Sequence, residues 1–253
     1  MIKINNLSFK YNKNSNYILK NVNLNISDKK ISIILGNNGA GKTTLFKCIS
    51  GILPINEGRV LVDGLNVSTT PNRILSKKLA YVFQVNIESN LTVYETILLG
   101  RNPYINFYPT KKDHDIVSKL INEFNLGEYI NYSFSSLSGG YQQKVMIARA
   151  LASNAETFLF DEISSNLDIS NKLFIFSLIK ELKSRGKSIF IALHDLNDAL
   201  VLGDYFYMLK DGIIYKEGNK KIINKKNINE LYNIEVEVKN IEGVEHVIYK
   251  KNL

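Results

Sequence analysis

Apolar residues run almost unbroken through ISIILG (31–36), TFLFDE (157–162) and SIFIALHD (188–195), and each run turns polar at its carboxyl end. Runs of this length read as strands covered on both faces, the condition of a parallel sheet, which places ligands at the carboxyl ends. Helical spacing follows each of them, in TTLFKCISGI (43–52), NKLFIFSLIKELKSR (171–185) and LNDALVLG (196–203). The alternation predicts an α/β fold with a mainly parallel sheet. Nearer the start, KINNLSF, ILKNVNLNI and RVLVDG look like shorter strands of an N-terminal antiparallel β layer. Between the strand AYVFQ (80–84) and LSGG (137–140) the pattern is mainly helical, interrupted by a predicted loop, RNPYINFYPTKKDHD (101–115). The tail carries one short helix, NKKNINELY, and one alternating strand, IEVEVKN.

This pattern predicts a single domain over residues 1–253, with a core from 1–85 and 156–217, an inserted helical subdomain over 86–155 and a C-terminal extension over 218–253. Composition alters that picture little. The 253 residues are ordinarily globular, and no apolar stretch approaches a membrane span. MIKINNLSFKY alternates like a strand and has no signal-like apolar region, so a soluble, cytosolic-type chain is expected. The single cysteine, Cys48, excludes an internal disulfide and sits among Leu45, Ile49 and Ile52 as a helix-core residue would. A net charge of +8 invites a nucleic-acid reading, but the lysines are scattered and no basic, aromatic stripe is present. The dense stretch GNKKIINKKN reads as a solvated face, or else as attraction to anionic lipid.

Candidate chemistry begins at GNNGAGKTT (36–44), which follows a buried strand and opens a helix. That is the context of a phosphate-binding P-loop, although a Gly-rich turn without ligand has the same letters. In the first reading the amides of Gly39, Gly41, Lys42 and Thr43 cradle phosphate. Lys42 reaches the β- and γ-phosphates, and the Thr43 hydroxyl ligates Mg²⁺. Asp161, ending TFLFD, suits Mg²⁺ held through water, leaving Glu162 to orient or deprotonate a water. LSGGYQQKVMIARAL (137–151) sets a different problem, because two glycines weaken the first turn of an amphipathic helix. Bare N–H groups at a helix start favour an anion, yet the chain already has a phosphate loop.

With these motifs in place, the chain resembles the ATP-binding cassette family of transporter ATPases along nearly its whole length. GNNGAGKTT matches the Walker A motif, FLFDE the Walker B motif and LSGG the signature. The resemblance implies a P-loop NTPase core, ATP and Mg²⁺ as ligands, and Gly36, Asn37, Asn38, Gly39, Ala40, Gly41, Lys42, Thr43 and Thr44 around the phosphates. It implies that Ser138, Gly139 and Gly140 meet ATP held by a second subunit. Gln84 falls in the Q-loop, near metal and water; Asp168, in SNLD, in the D-loop; and His194 at the switch histidine. Tyr11 falls where the family stacks an aromatic ring on adenine. Tyr11 as a strand-end aromatic and His194 as a core histidine are the plainer readings. Three departures stand out: Asn37 replaces a frequent Pro, Tyr141 a usual Gln or Glu, and Ile163 a usual Pro.

Within the family, NLTVYETILLGRNPY, HDLNDALVLGD and NINELYNIEVEV look like the ATPases of iron-chelate, haem and cobalamin importers. The resemblance then implies a homodimer on the cytoplasmic face of a membrane. Its partners are two permease subunits as separate chains and a substrate-binding protein, with no nucleic acid. A cassette ATPase acting on ribosomes or nucleic acid, or as a regulator without transport, is the rival from another class. The short gap between P-loop and signature and the single P-loop weigh against the first of these.

Overall fold

The computed structural model describes residues 1–83, 89–163 and 168–249. An antiparallel sheet is built from β1 (Ile2–Phe9), β2 (Leu19–Ile26), β4 (Glu57–Val62) and β5 (Leu65–Asn66), in the order β2-β1-β4-β5. Burial alternates through the start of β1 and most of β2, so one face there is apolar and the other wet. The main sheet takes β3 (Ile31–Leu35), β6 (Leu79–Val82), β7 (Thr157–Asp161), β8 (Ser188–Ala192), β9 (Tyr205–Lys210) and β10 (Ile213–Gly218). Its order is β10-β9-β3-β8-β7-β6, parallel throughout except for the β9–β10 hairpin. Every residue of β3, β7 and β8 is buried, which accounts for their unbroken apolar runs.

The helices are α1 (Lys42–Ile49), α2 (Asn72–Leu75), α3 (Val93–Leu98) and α4 (Lys111–Glu123), then α5 (Gly139–Ala152), α6 (Ile169–Ser184), α7 (Leu196–Leu202) and α8 (Lys225–Tyr232). On one face of the main sheet, Ile34, Leu159 and Phe190 pack with Leu45, Phe46 and Cys48 of α1 and with the apolar face of the antiparallel sheet. Cys48 is wholly buried, and burial pushes its thiol up to about 12, the behaviour of a small core hydrophobe. On the opposite face, Ile33, Phe158, Phe160 and Ile191 pack against α5 and α6. No described helix is long and apolar enough to cross a membrane.

Three sequence expectations need correction. The last five residues of the predicted loop 101–115 belong to α4, because Thr110 and Asp113 form a capping box that starts the helix at Lys111. The SIFIALHD strand ends at Ala192, so His194 lies beyond the sheet and is partly exposed, not a core histidine. The tail strand is half of a hairpin, β11 (Val236–Ile241) with β12 (Val244–Tyr249).

Candidate functional site

The P-loop leaves β3 at the centre of the sheet, between β8 and β9, and its glycines answer two separate demands. Gly36 has no room for a side chain, since a Cβ there would stand 2.3 Å from the Leu209 carbonyl oxygen of β9. Gly41 instead has φ 107°, a left-handed conformation that L side chains rarely adopt, and it turns the loop directly into α1. The first-turn N–H groups of α1 therefore point out of the loop, where a helix start attracts anions.

Lys42 is 4% exposed. Its Nζ donates to the carbonyls of Gly36 (2.8 Å) and Asn37 (3.1 Å), which hold the ammonium across the loop. Burial lowers its pKa, while the neighbouring Glu162 and Asp161 carboxylates oppose that shift. Asp161, the last residue of β7, is 3% exposed. Its Oδ2 accepts from the Tyr81 hydroxyl at 3.0 Å, but its buried Oδ1 accepts nothing from the described residues. Burial raises the Asp161 pKa; the facing Thr43 and Tyr81 hydroxyls and the Lys42 charge pull it back down.

Glu162 has φ 56°, an uncommon backbone for a glutamate, which turns the chain off the sheet immediately after Asp161. Its N–H is tied to the Ala192 carbonyl of β8 (3.2 Å), and its Oε1 lies 2.6 Å from His194 Nε2. The two strand ends thus deliver a carboxylate and an imidazole to one point. A cavity of about 300 Å³ is lined by Tyr11, Ile18, Asn38, Gly39, Gly41, Lys42, Thr43, Thr44 and Glu162. The Tyr11 ring is 56% exposed at its edge, with its hydroxyl 3.3 Å from Thr44 Oγ1. Ala40 is buried beneath the loop. A larger cavity, about 760 Å³, lies among lysines at the amino end of β3 and contains none of the candidate residues.

Ser138, Gly139 and Gly140 stand apart from this cavity. Ser138 is the N-cap of α5 with no side-chain capping bond, and among the described residues no atom lies within 4 Å of a Cβ placed on Gly139. Tyr141 turns its ring onto Tyr129, with centroids 4.5 Å apart, and Lys144 lies over its face. Asp168 is spent locally as the N-cap of α6: its two oxygens accept from the Asn171 backbone (2.7 Å) and side chain (3.1 Å). Gln84 lies outside the described residues, as do residues 165–167 of the SNLD stretch.

Sequence reasoning passed over three participants. Tyr81 lies one strand from Asp161 and was legible only as a strand aromatic. Tyr232 and Leu231 of α8 bond to the P-loop, the Tyr232 hydroxyl accepting from Gly36 N–H (3.1 Å) and the Leu231 carbonyl from Asn37 Nδ2 (3.0 Å). No local pattern announces a contact between residues so far apart in the chain.

A family model described as ABC transporter matches residues 19–165. An uncharacterised ABC transporter ATP-binding protein of Methanocaldococcus jannaschii is 37% identical, covering 98% of this chain and 97% of its own. The petrobactin import ATP-binding protein of Bacillus subtilis is 30% identical, covering 98% and 99%. Among solved structures, a dimeric post-hydrolysis ATP-binding cassette bound to ADP and Pi is 31% identical. It superposes with a TM-score of 0.77 over 87% of this chain and 98% of its own. With a P-loop between parallel strands, a carboxylate pair beside it and relatives matched along nearly the whole chain, the protein belongs to the ABC transporter family, among the ATP-binding cassette ATPases that drive transport.

Proposed function

We propose that this chain powers a membrane importer for an iron-siderophore, haem or cobalamin cargo, working as a homodimer. In this reading it sits peripherally on the cytoplasmic face, beneath two permease subunits, and a substrate-binding protein delivers the cargo. The observation that carries the catalytic part is the convergence of Lys42, Asp161, Glu162 and His194 on the P-loop. The cargo class draws its support from two Bacillus subtilis relatives. One is the petrobactin import protein; the other, the iron(3+)-hydroxamate import ATP-binding protein, is 32% identical over 87% of this chain. Energy-coupling factor transporter ATP-binding proteins support a second reading, at 34% identity over 90% of the chain. The petrobactin protein matches over 98%, and that fuller coverage favours the first.

Backbone amides from Gly39 to Thr43 would hold the phosphates, with Lys42 between the β- and γ-positions and the exposed Tyr11 ring against the adenine. Asn38 lines the same cavity. The buried Asp161 Oδ1, without a partner among the described residues, and the nearby Thr43 hydroxyl fit a hard cation with oxygen ligands. Mg²⁺, when bound, supplies positive charge to the phosphoryl oxygens. Glu162 would orient the attacking water and accept its proton, held in place by His194 and by its own bond to Ala192. Gln84 would pass the state of the site to the permease. Ser138, Gly139 and Gly140 of one copy would face the nucleotide of the other, with Asp168 at the boundary between copies.

The phosphates of two ATP molecules, each gripped by both copies, would close the dimer, and hydrolysis would reopen it. Phe107 and Tyr108, 92% and 84% exposed in the loop before α4, offer an apolar surface for the permease. The deciding experiment deletes the chain in its host and follows uptake of labelled ferric siderophore, haem and cobalamin. Loss of one uptake, restored by the wild type but not by Glu162→Gln, is expected. Unchanged uptake of all three would overturn the cargo class.

A further inference from the structure

The two bonds from α8 to the P-loop fall on its first two residues, the Gly36 backbone and the Asn37 side chain, upstream of every amide assigned to phosphate. Leu231 is in the last turn of α8, where carbonyls have no partner within the helix, and Asn37 Nδ2 supplies one. Asn37 is also where this chain departs from the proline frequent in its family, and proline has no donor to offer. Gly36 N–H, beneath the loop, has its partner in the Tyr232 hydroxyl. Burial pushes the Tyr232 phenol well above its ordinary range, so it remains neutral.

The same C-terminal segment holds the other side of the site. Asn197, three residues after His194, pairs through its side chain with both backbone groups of Val247, accepting at 2.8 Å and donating at 3.1 Å. Helix α8 is itself fixed to the main sheet, by Lys210 to the Glu230 carbonyl (2.7 Å), by Lys216 to Asn227 (2.7 Å) and by Tyr215 to Glu230.

We propose that residues 224–249 form a brace that positions the start of the P-loop against the segment bearing His194, with Tyr232 as a positioning residue for nucleotide affinity. The inference rests on the P-loop of this chain binding ATP. A packing role alone would stabilise the fold without regard to nucleotide. A positioning role ties α8 to affinity and the hairpin to turnover.

The test uses the purified full chain, with MgATP affinity, kcat and thermal denaturation measured side by side. Tyr232→Phe keeps the ring and removes the acceptor of Gly36 N–H. It raises the MgATP Kd about fivefold, the effect of one buried hydrogen bond. Tyr215→Phe is the matched control, because it removes a phenol bond to the same helix on a side away from the P-loop. It leaves the Kd at the wild-type value. Asn197→Ala releases the hairpin from α7 and lowers kcat about fivefold with the Kd unchanged. If folded Tyr232→Phe binds MgATP as the wild type does, or if Tyr215→Phe weakens binding equally, the brace is only packing and the proposal falls. Failure of the wild type to bind MgATP would instead overturn the nucleotide reading, and this inference with it.

Discussion

Two helices of this molecule start at a glycine with bare N–H groups, Gly41 capping α1 and Gly139 opening α5, and they could hardly be more differently furnished. The start of α1 is enclosed: β3 and β9 hold Gly36, Lys42 bridges the loop, and Asp161 and Glu162 stand beside it. The start of α5 is open among the described residues, with no side-chain capping bond on Ser138 and no atom within 4 Å of a Cβ on Gly139. Yet the far end of α5 is firmly anchored. Buried Arg101 donates to the Ala152 carbonyl (2.7 Å) and to Asp113 (2.8 Å), fastening that end to α4. A helix start that is bare while its other end is fixed is rigid enough to serve as half of a site. The contrast fits the proposed division, in which α1 would hold its ligand from within one chain and α5 would present donors to something outside it.

Four measurements would break or sharpen that contrast. The largest effect is expected at the complete end: Glu162→Gln should bind MgATP normally and slow single-turnover hydrolysis about 100- to 10,000-fold, the usual loss with a general base. Turnover near the wild-type rate would remove Glu162 from the chemistry. Next comes the division of labour itself. Lys42→Ala should abolish binding by the isolated chain, whereas Ser138→Arg should leave that binding intact and prevent occlusion in the dimer, each costing hydrolysis roughly 100- to 1,000-fold. Mixed into verified heterodimers, the two lesions fall in one site if the helices serve different copies, and one occluded nucleotide per dimer returns. Heterodimers occluding no more than either homodimer would end the reading of α5 as half of another copy's site.

A smaller effect concerns the anchored end of α5. Hydrogen bonds from Thr110, and then the Arg101 charge, outweigh burial and hold the Asp113 carboxyl at about 2, below its ordinary 3.8. A carboxyl depressed on folding stabilises the protein above the unfolded value and loses that contribution as pH falls through the folded one. Urea unfolding between pH 5 and about 2 should therefore show a loss of stability that Asp113→Asn flattens; parallel pH profiles would show the pair to be irrelevant. The smallest effect is at Tyr141. Truncation to Ala should cost about 0.5–1.5 kcal/mol of stability, the range of an aromatic pair, and leave the MgATP affinity of the isolated chain unchanged. A weakened affinity would connect α5 to its own chain's nucleotide.

Much of this arrangement was legible in the amino-acid sequence, for reasons that differ by region. β3, β7 and β8 are buried on both faces, so periodicity alone exposed them. The P-loop was legible because its glycines, lysine and threonine are contiguous. Residues 111–115 were misread as loop because their charged letters concealed the Thr110–Asp113 capping box. β9, β10 and β12 were not singled out: β9 carries polar and aromatic residues, and the other two strands are partly exposed. His194 was placed at the end of a buried strand, but the strand stops at Ala192 and leaves the imidazole free to reach Glu162. The bonds from Tyr232 and Asn197 belong to tertiary structure, and no local spacing encodes them.

The position of β3 between β8 and β9 also has a consequence on the ribosome. Gly36 is synthesised early, but the strand that seats it ends at Lys210. At about 5–20 residues per second, roughly 170 residues and some ten to thirty seconds of elongation separate the loop from Leu209. For most of that interval, until β8 is synthesised, the nascent chain carries an apolar strand with neither neighbour. The nucleotide cannot act as an early folding template, and a trigger of assembly can arrive only once the chain through Lys210 has emerged. Termination between codons 211 and 224 would release a chain with β9 in place and all its phosphate-loop letters, but no α8 to steady them.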